Sequence, residues 1–222
     1  MADSVKAFLL IVSALFPIVN PLSGSPIFLA LTKENSPDAR WALSRRVAWN
    51  SFFLMVGSYF IGAHILGFFG VSLPAVQVGG GLVVVSMGWT LLMKREEVRE
   101  ETTEAVHPQD LSRRAFYPLT MPLTVGPGSI SVAITLGANA THHYGVSIPI
   151  ILAALTATAL IAVSVFLCYA FADRLAQMLG ETATTVIIRL SSFLLLCIGV
   201  QIVWNGVSAL LSSVPLRIQS GN

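Results

Sequence analysis

The sequence predicts an all-α membrane protein in which six transmembrane helices form two inverted three-helix repeats. Three observations carry this prediction: long apolar stretches, basic residues that concentrate in alternate connections, and a proline motif that occurs twice. Only 11% of the residues are charged and 55% are hydrophobic, whereas an ordinary soluble domain is about 25% charged. This composition excludes a soluble globular protein.

The apolar stretches cover roughly 5–31, 47–69, 71–93, 115–138, 144–172 and 184–212. Each stretch reaches the about 20 residues that a helix needs to cross a hydrocarbon core of about 30 Å. We expect the first stretch to be retained as a span, because no small-residue cleavage site follows a short apolar core as in a signal peptide.

The basic residues are distributed unevenly among the connections. The first, third and fifth connections hold ten of the thirteen Lys and Arg residues, whereas the second and fourth connections hold none. Cytoplasmic loops carry such an excess. The odd-numbered connections are therefore predicted to be cytoplasmic, and both termini are predicted to lie on the outer, periplasmic side.

One long polar segment, residues 94–114, divides the chain into two halves of three spans each, residues 1–93 and 115–222. Because three is odd, the second half must enter the membrane from the opposite side. The halves are thus predicted to be inverted repeats, related by a pseudo-two-fold axis in the membrane plane. The simplest description is a single membrane domain over 1–222, in which 94–114 is a cytoplasmic linker.

The proline motif occurs once in each half, and the two copies are separated by 101 residues. Its members are Pro17, Pro21 and Pro26 in the first copy and Pro118, Pro122 and Pro127 in the second. A proline inside a helix removes the partner of the carbonyl four residues earlier. Freed carbonyls at membrane depth are tolerated only inside protein or beside a water-filled cavity. Spans one and four are therefore predicted to be broken near mid-membrane.

The motif also predicts where the helices restart. Ser25–Pro26 resembles a helix start, with a capping hydroxyl before a first-position proline, and Gly126–Pro127 is a weaker version. In inverted repeats the two helix N-termini would converge, and such termini bind anions. The carboxylate of a small zwitterion would suit this place. The alternative is that the prolines only shape helix packing.

Polar residues within the spans are few. All eleven acidic residues lie outside the apolar stretches or at their ends, so a carboxylate proton relay has no candidate at mid-membrane. Arg189 in the last span is a candidate site residue, although it lies close enough to the interface to snorkel. Asn20 stands at the first break itself. No nucleophile–base pair is evident, and we do not expect an enzyme.

Four stretches, two of which belong to the proline motifs, carry a family resemblance. They are the run NPLSGSPIFLALT at 20–32, FGVSLPA at 69–75, the glycines at 79–81 and PLTVGPG at 122–128. With these motifs the chain resembles the MarC family of bacterial inner-membrane proteins over essentially its whole length. The resemblance implies a multi-pass protein of the bacterial inner membrane and a transporter of small neutral amino acids such as glycine and alanine.

Together these arguments predict a secondary transporter that works by alternating access. The predicted binding residues are Asn20, Pro21, Gly24, Ser25, Pro26, Pro122, Thr124, Gly126, Pro127, Gly128, Ser129 and Arg189. No metal or cofactor is expected, and a coupling ion, Na⁺ at freed carbonyls or H⁺ through His64, is left open. The expected partners are the amino acid and the lipid bilayer, without nucleic acid; a homo-oligomer is left open.

Two other functions stay open at this point. The first is a channel or facilitator for a small neutral solute, since aquaporins also join inverted repeats with Asn-Pro half-helices. In this chain, however, the second copy has Met121 where that asparagine would be. The second is a membrane scaffold that transports nothing.

Overall fold

The computed structural model describes residues 2–93, 115–144 and 147–212, and the secondary structure of these residues is entirely helical. The helices are α1 Ala2–Val19, α2 Pro21–Leu31, α3 Pro37–Phe68, α4 Leu73–Met93, α5 Ala115–Thr124, α6 Pro127–Tyr144, α7 Ile148–Ala170 and α8 Ala172–Ser212. The predicted linker 94–114 lies outside the described residues.

Five segments of the described chain are long and apolar enough to cross a membrane. They are Asp3–Leu31, Pro37–Phe68, Leu73–Thr90, Ile148–Ala170 and Thr185–Ser212. The predicted stretch 115–138 is not among them, because the helix is interrupted between α5 and α6. The all-helical membrane class is confirmed, whereas six continuous spans are not found.

The first break lies at Asn20, between α1 and α2. Asn20 adopts the left-handed conformation, with φ 44° and ψ 60°, and caps α2. The helix therefore starts at Pro21, and the expectation that it starts at Pro26 was wrong. Asparagine tolerates the left-handed region and is a preferred N-cap. Pro21 occupies the first helical position, where a backbone N–H would have no acceptor within the helix, so the missing N–H of proline costs no hydrogen bond. Pro26 lies inside α2.

The second break is more irregular. Within α5, Tyr117 and Met121 have extended backbone conformations. Each of them precedes a proline, whose ring disfavours the helical conformation of the residue before it. The chain leaves α5 at Thr124 and α6 then begins at Pro127, as the sequence predicts. Both predicted breaks are thus present, at different positions within the motif.

Two helices extend further than their apolar stretches. The helix α3 begins at Pro37, about ten residues before the predicted 47, because the Ser36 hydroxyl accepts from the Ala39 N–H at 3.3 Å and caps it. The helix α8 begins at Ala172 and bends at Gly180, where φ is 69°. Parts of the first and fifth basic connections are therefore helical.

A seam of small residues joins α4 to α8. On α4, Gly88 faces Leu196 and Ser192, and Gly81 faces Gly199; nearer the start of α4, Pro74 and Val78 face Gly206. The residue numbers run in opposite directions, so the two helices are antiparallel. Glycines at such a seam let helix backbones approach closely.

The core lies between the broken helices and the pair α3 and α7. It includes Leu15 of α1, Phe28 of α2, Met55 of α3, Val125 of the second break and Ile161 of α7. The helix α7 also packs against α1, where Ala7 contacts Ile150 and Ala153 near the start of α7. The breaks are therefore held in a packed interior and not at the lipid surface.

Candidate functional site

The first break satisfies most of its own backbone groups. The Asn20 side-chain oxygen accepts from the Ser23 N–H at 3.4 Å, and the Gly24 N–H donates to the Asn20 carbonyl at 3.1 Å. Pro26 removes the donor for the Leu22 carbonyl, but the Ser25 hydroxyl donates to that carbonyl at 3.0 Å. This freed carbonyl, which the sequence suggested as an ion ligand, is thus already occupied.

Threonine hydroxyls perform the same task at the second break. The Thr120 hydroxyl donates to the Ala115 carbonyl at 2.6 Å, and the Thr124 hydroxyl donates to the Leu119 carbonyl at 2.7 Å. Both bonds reach back five residues, which is the spacing of a π-helix, and α5 has this form. The side chains of the motif thus donate to backbone carbonyls near the prolines, where the regular helical hydrogen bonds are interrupted.

The start of α6 combines a side-chain cap with open amides. The Gly126 N–H donates to the Ser129 hydroxyl at 3.1 Å, and this hydroxyl lies 3.3 Å from the Gly126 carbonyl. Pro127 has no N–H, and the N–H groups of Gly128 and Ser129 in the first turn have no carbonyl four residues earlier within the helix. These two amides are the groups with which a helix N-terminus binds an anion.

Tyr169 of α7 brings the two breaks together. Its hydroxyl lies 2.9 Å from the Thr124 hydroxyl. Because Thr124 gives its proton to the Leu119 carbonyl, Tyr169 is the donor. On its other side, the same oxygen would lie 2.5 Å from a methyl group built on Gly24. The Tyr169 ring stacks on Phe28 of α2, with centroids 4.5 Å apart. One buried hydroxyl therefore contacts both copies of the proline motif.

Sequence reasoning did not find Tyr169. The available signal was a tyrosine in an otherwise apolar span, because a buried tyrosine hydroxyl requires a hydrogen-bond partner. No sequence pattern indicates that the partner is Thr124, which lies 45 residues away.

Two cavities lie near this tyrosine. The inner cavity measures about 20 Å³ and is lined by residues of the second break together with α1, α4 and α8, namely Ile18, Val84, Met87, Leu123, Thr124, Gly126, Gly128, Ser129 and Leu195. The outer cavity measures about 300 Å³ and is lined by Phe28, Tyr169 and residues of 37–41 and 170–174. Tyr169 lines the outer cavity, and its hydroxyl bonds to Thr124, which lines the inner one.

The predicted site residues divide into three groups. Thr124, Gly126, Gly128 and Ser129 line the inner cavity, and Gly24 packs against Tyr169, whose hydroxyl bonds to Thr124. A second group, Asn20, Pro21, Ser25 and Pro26, forms the first break and lines neither cavity.

The remaining predicted residues are not brought to a cavity. Pro127 is exposed at the start of α6, and Arg189 is exposed on α8; neither lines a cavity. Pro122 lies within α5, and its side chain is outside the described part of the structure. A role in binding for each of these three stays a prediction.

The outer cavity carries an ion pair at its rim. Nη1 of Arg40 lies 2.9 Å from Oδ1 of Asp173, and the two side chains are 19% and 49% exposed. This pair joins the start of α3 to the start of α8. Among the described residues, the buried Nε of Arg40 has no hydrogen-bond partner.

Comparison with known proteins places this fold and its motifs in a family. A model of the MarC family of integral membrane proteins matches residues 5–211. The chain belongs to the MarC family. The inner membrane protein MarC of Salmonella typhimurium strain LT2 is 31% identical over 220 residues, which cover 93% of this chain and 96% of the relative.

Other relatives have the same name. The inner membrane protein MarC of Citrobacter koseri is 32% identical over 216 residues, and that of Escherichia coli O1:K1 is 28% identical over 213 residues; both cover 93% of this chain and 96% of the relative. No solved structure matches the chain. The apolar helices and the names of the relatives together support a multi-pass protein of the inner membrane.

Proposed function

We propose that this MarC-family protein is a secondary transporter that moves small neutral amino acids, of the size of glycine or alanine, across the inner membrane by alternating access. The observation that carries the proposal is the contact of one tyrosine with both helix breaks. Broken helices that meet in the interior of a bundle are the usual form of a transporter binding site.

The packing of the helices supports six crossings and inverted halves. The helices α4 and α8 are antiparallel, so an even number of crossings must separate them. Since α7 is a full-length span, the broken pair α5 and α6 would also have to cross. A re-entrant α5–α6 segment would instead make α4 and α8 parallel.

The helix contacts also correspond between the two halves. In the two halves, α1 to α4 correspond in order to α5 to α8. The contact of α3 with α6 then has its counterpart in α7 with α2, that of α4 with α6 in α8 with α2, and that of α1 with α7 in α5 with α3. All of these contacts are present. This correspondence supports a pseudo-two-fold relation. The positive-inside rule then orients the molecule with both termini in the periplasm. The outer cavity faces the cytoplasm in this orientation, because it lies at the first and fifth basic connections.

The chemistry of the inner cavity suits a small zwitterion. Its polar lining consists of the Thr124 and Ser129 hydroxyls and the glycine backbone of the second break. No charged side chain is found among the described residues that line it. The amides of Gly128 and Ser129 would receive the carboxylate, and the narrow apolar walls would limit the side chain to hydrogen or methyl.

The small volume of the inner cavity supports alternating access in preference to a channel. A volume of about 20 Å³ holds about one water molecule, so an amino acid enters only when neighbouring helices move. Separation of Tyr169 from Thr124 would join the inner cavity to the outer one on the cytoplasmic side. We propose that this movement is the cytoplasmic half of the transport cycle.

The test is uptake of radiolabelled glycine and alanine into liposomes that contain the purified protein. We expect saturable uptake that is accelerated by the same amino acid inside the vesicles, as a carrier requires. Imposed Na⁺ and H⁺ gradients in separate preparations identify the coupling ion. Uptake no greater than that of empty liposomes under every gradient would overturn the proposal, and uptake without saturation or counter-transport would favour the channel.

A further inference from the structure

The outer cavity has the features of a second binding site. Its volume of about 300 Å³ lies at the lower end of the range of small-molecule pockets, about 300–1,000 Å³. Phe28, Trp41 and Tyr169 supply aromatic walls, while Arg40 and Asp173 supply opposite charges. A cavity with apolar walls and a few converging polar groups is the usual form of a ligand site.

One edge of the Arg40 guanidinium is left unpaired by the contact with Asp173. Asp173 engages Nη1 at 2.9 Å, and Nε lies on the opposite side of the planar group. This Nε is buried and has no hydrogen-bond partner among the described residues. The Nε and Nη2 donors form a fork whose geometry matches the two oxygens of a carboxylate.

The charges around the cavity favour a zwitterion over a simple anion. Two cations, Arg40 and Arg174, and two carboxylates, Asp38 and Asp173, line it. A simple anion at Arg40 would meet the adjacent Asp173 carboxylate, whereas an α-amino acid presents an ammonium group to that same carboxylate. The side chain of Asp173 is half-exposed, so one of its oxygens can receive an ammonium group.

We propose that the outer cavity is a docking site for α-amino acids, in which Arg40 binds the carboxylate, Asp173 binds the ammonium group, and the aromatic walls receive the side chain. The proposal relies on the proposed function for the class of cargo. The two sites select differently: the outer cavity accepts neutral amino acids of many sizes, and the inner cavity passes only the smallest. Leucine therefore binds but is not transported.

Equilibrium binding of radiolabelled leucine to the full-length protein tests this assignment, in maltoside detergent without phosphate buffer. We expect saturable binding that unlabelled alanine and glycine displace, and that propionate and isobutylamine displace only weakly because each carries one of the two charges. Equal displacement by inorganic phosphate would identify a general anion site and overturn the proposal.

Variants locate the binding to the cavity. Arg40→Gln and Arg40→Lys each remove the fork and should weaken leucine binding by about tenfold or more. Arg40→Gln leaves the Asp173 carboxylate without its partner and could therefore affect folding. The double variant Arg40→Gln/Asp173→Asn leaves no unpaired charge, so it controls for this effect, and it should also fail to bind leucine. The matched control is Arg45→Gln, which removes an exposed charge from the same helix and should bind as the unchanged protein does.

An optical reporter gives a second measurement. Trp41 lines the cavity, so a protein in which Trp49, Trp89 and Trp204 are replaced by Phe reports ligand through Trp41 alone. We expect its fluorescence to change with the same affinity as leucine binding.

The outcome is separable from that of the proposed function. Arg40-dependent leucine binding without any amino acid flux would support the docking site and refute the transporter. Alanine flux together with leucine binding that Arg40→Gln leaves unchanged would refute the docking site alone.

Discussion

The hydroxyl of Tyr169 donates to the hydroxyl of Thr124 across 2.9 Å, and this bond joins the last turn of α7 to the second helix break. Thr124 in turn donates to the Leu119 carbonyl, so the bond is one step of a chain that ends on the backbone opened by the prolines. The same tyrosine oxygen lies against Gly24 of the first break. A movement of α7 at this point must therefore affect both breaks.

Removing the tyrosine hydroxyl is expected to loosen this connection without unfolding the protein. Tyr169→Phe should lower the free energy of unfolding by about 1 kcal/mol, the usual value of one neutral hydrogen bond. Thr124→Val should lower it by more, because the Leu119 carbonyl also loses its donor. In a double-mutant cycle measured by thermal unfolding in detergent, the coupling between the two changes should be about 0.5–1.5 kcal/mol.

Additivity of the two changes would show that the bond contributes nothing. The control is Thr124→Ser, which keeps the hydroxyl and should retain the coupling to Tyr169. In the transport model, Tyr169→Phe should also increase cytoplasmic labelling of a Ser129→Cys variant by an impermeant maleimide, in a protein whose free cysteines Cys168 and Cys197 are replaced by alanine. Unchanged labelling would contradict the role of Tyr169 as the cytoplasmic barrier.

Gly24 is expected to be required because it leaves room for the tyrosine. A methyl group at this position would lie 2.5 Å from the Tyr169 oxygen, and the ring cannot retreat easily because it is buried and stacked on Phe28. Gly24→Ala should therefore destabilise the protein by about 1–3 kcal/mol and abolish uptake. Thermal unfolding and liposome uptake measure the two effects.

A second change provides the decisive comparison for Gly24. In Gly24→Ala/Tyr169→Phe the offending oxygen is absent, and the nearest ring carbons lie at 3.3 Å. The double variant should thus be more stable than Gly24→Ala alone, although both of its changes are destabilising separately. If it were less stable, the clash would not be the cause. Gly57→Ala on α3 is the control, since nothing lies within 4 Å of its added methyl group.

Local chemistry explains how much of the fold was predictable. Apolar length predicted the membrane helices, and prolines predicted both breaks, because each effect acts within a few residues of the chain. The first break was misplaced because Asn20–Pro21 and Ser25–Pro26 are competing start signals. The left-handed conformation of Asn20 decided between them. The early start of α3 at Pro37 was missed because its first turns are too polar to register as a span.

The site was predictable only where the motif itself forms it. Thr124, Gly126, Gly128 and Ser129 were found because they belong to the second motif and line the inner cavity. The contact between Tyr169 and Thr124 was not, because it depends on how distant helices pack. Packing also explains why Arg189, an intramembrane charge, lines neither cavity.

Asn20 offers a test of whether the first break needs a side chain or only a backbone conformation. Its φ of 44° lies in the left-handed region, which Asn tolerates better than other residues with a β-carbon, whose cost there is about 1–2 kcal/mol, and its cap adds about 0.5–2 kcal/mol. Asn20→Ala should therefore destabilise the protein by at least about 1 kcal/mol, whereas Asn20→Gly should change stability by only a few tenths. Equal thermal stability of the two variants would contradict this account of the break.

Two glycines of α4 that are two residues apart, Gly79 and Gly81, provide a matched pair for the seam with α8. A methyl group on Gly81 would lie 2.8 Å from the Val203 nitrogen and 3.0 Å from the Gly199 carbonyl oxygen, whereas nothing lies within 4 Å of one on Gly79. Because backbone atoms cannot rotate away as a side chain can, Gly81→Ala must push α8 outward and should destabilise the protein by about 1–3 kcal/mol. Gly79→Ala should be neutral or stabilising by up to about 1 kcal/mol, since alanine is the better helix former. Thermal unfolding in one detergent compares the two, and an equal effect would show that α4 and α8 do not approach as closely as the seam requires.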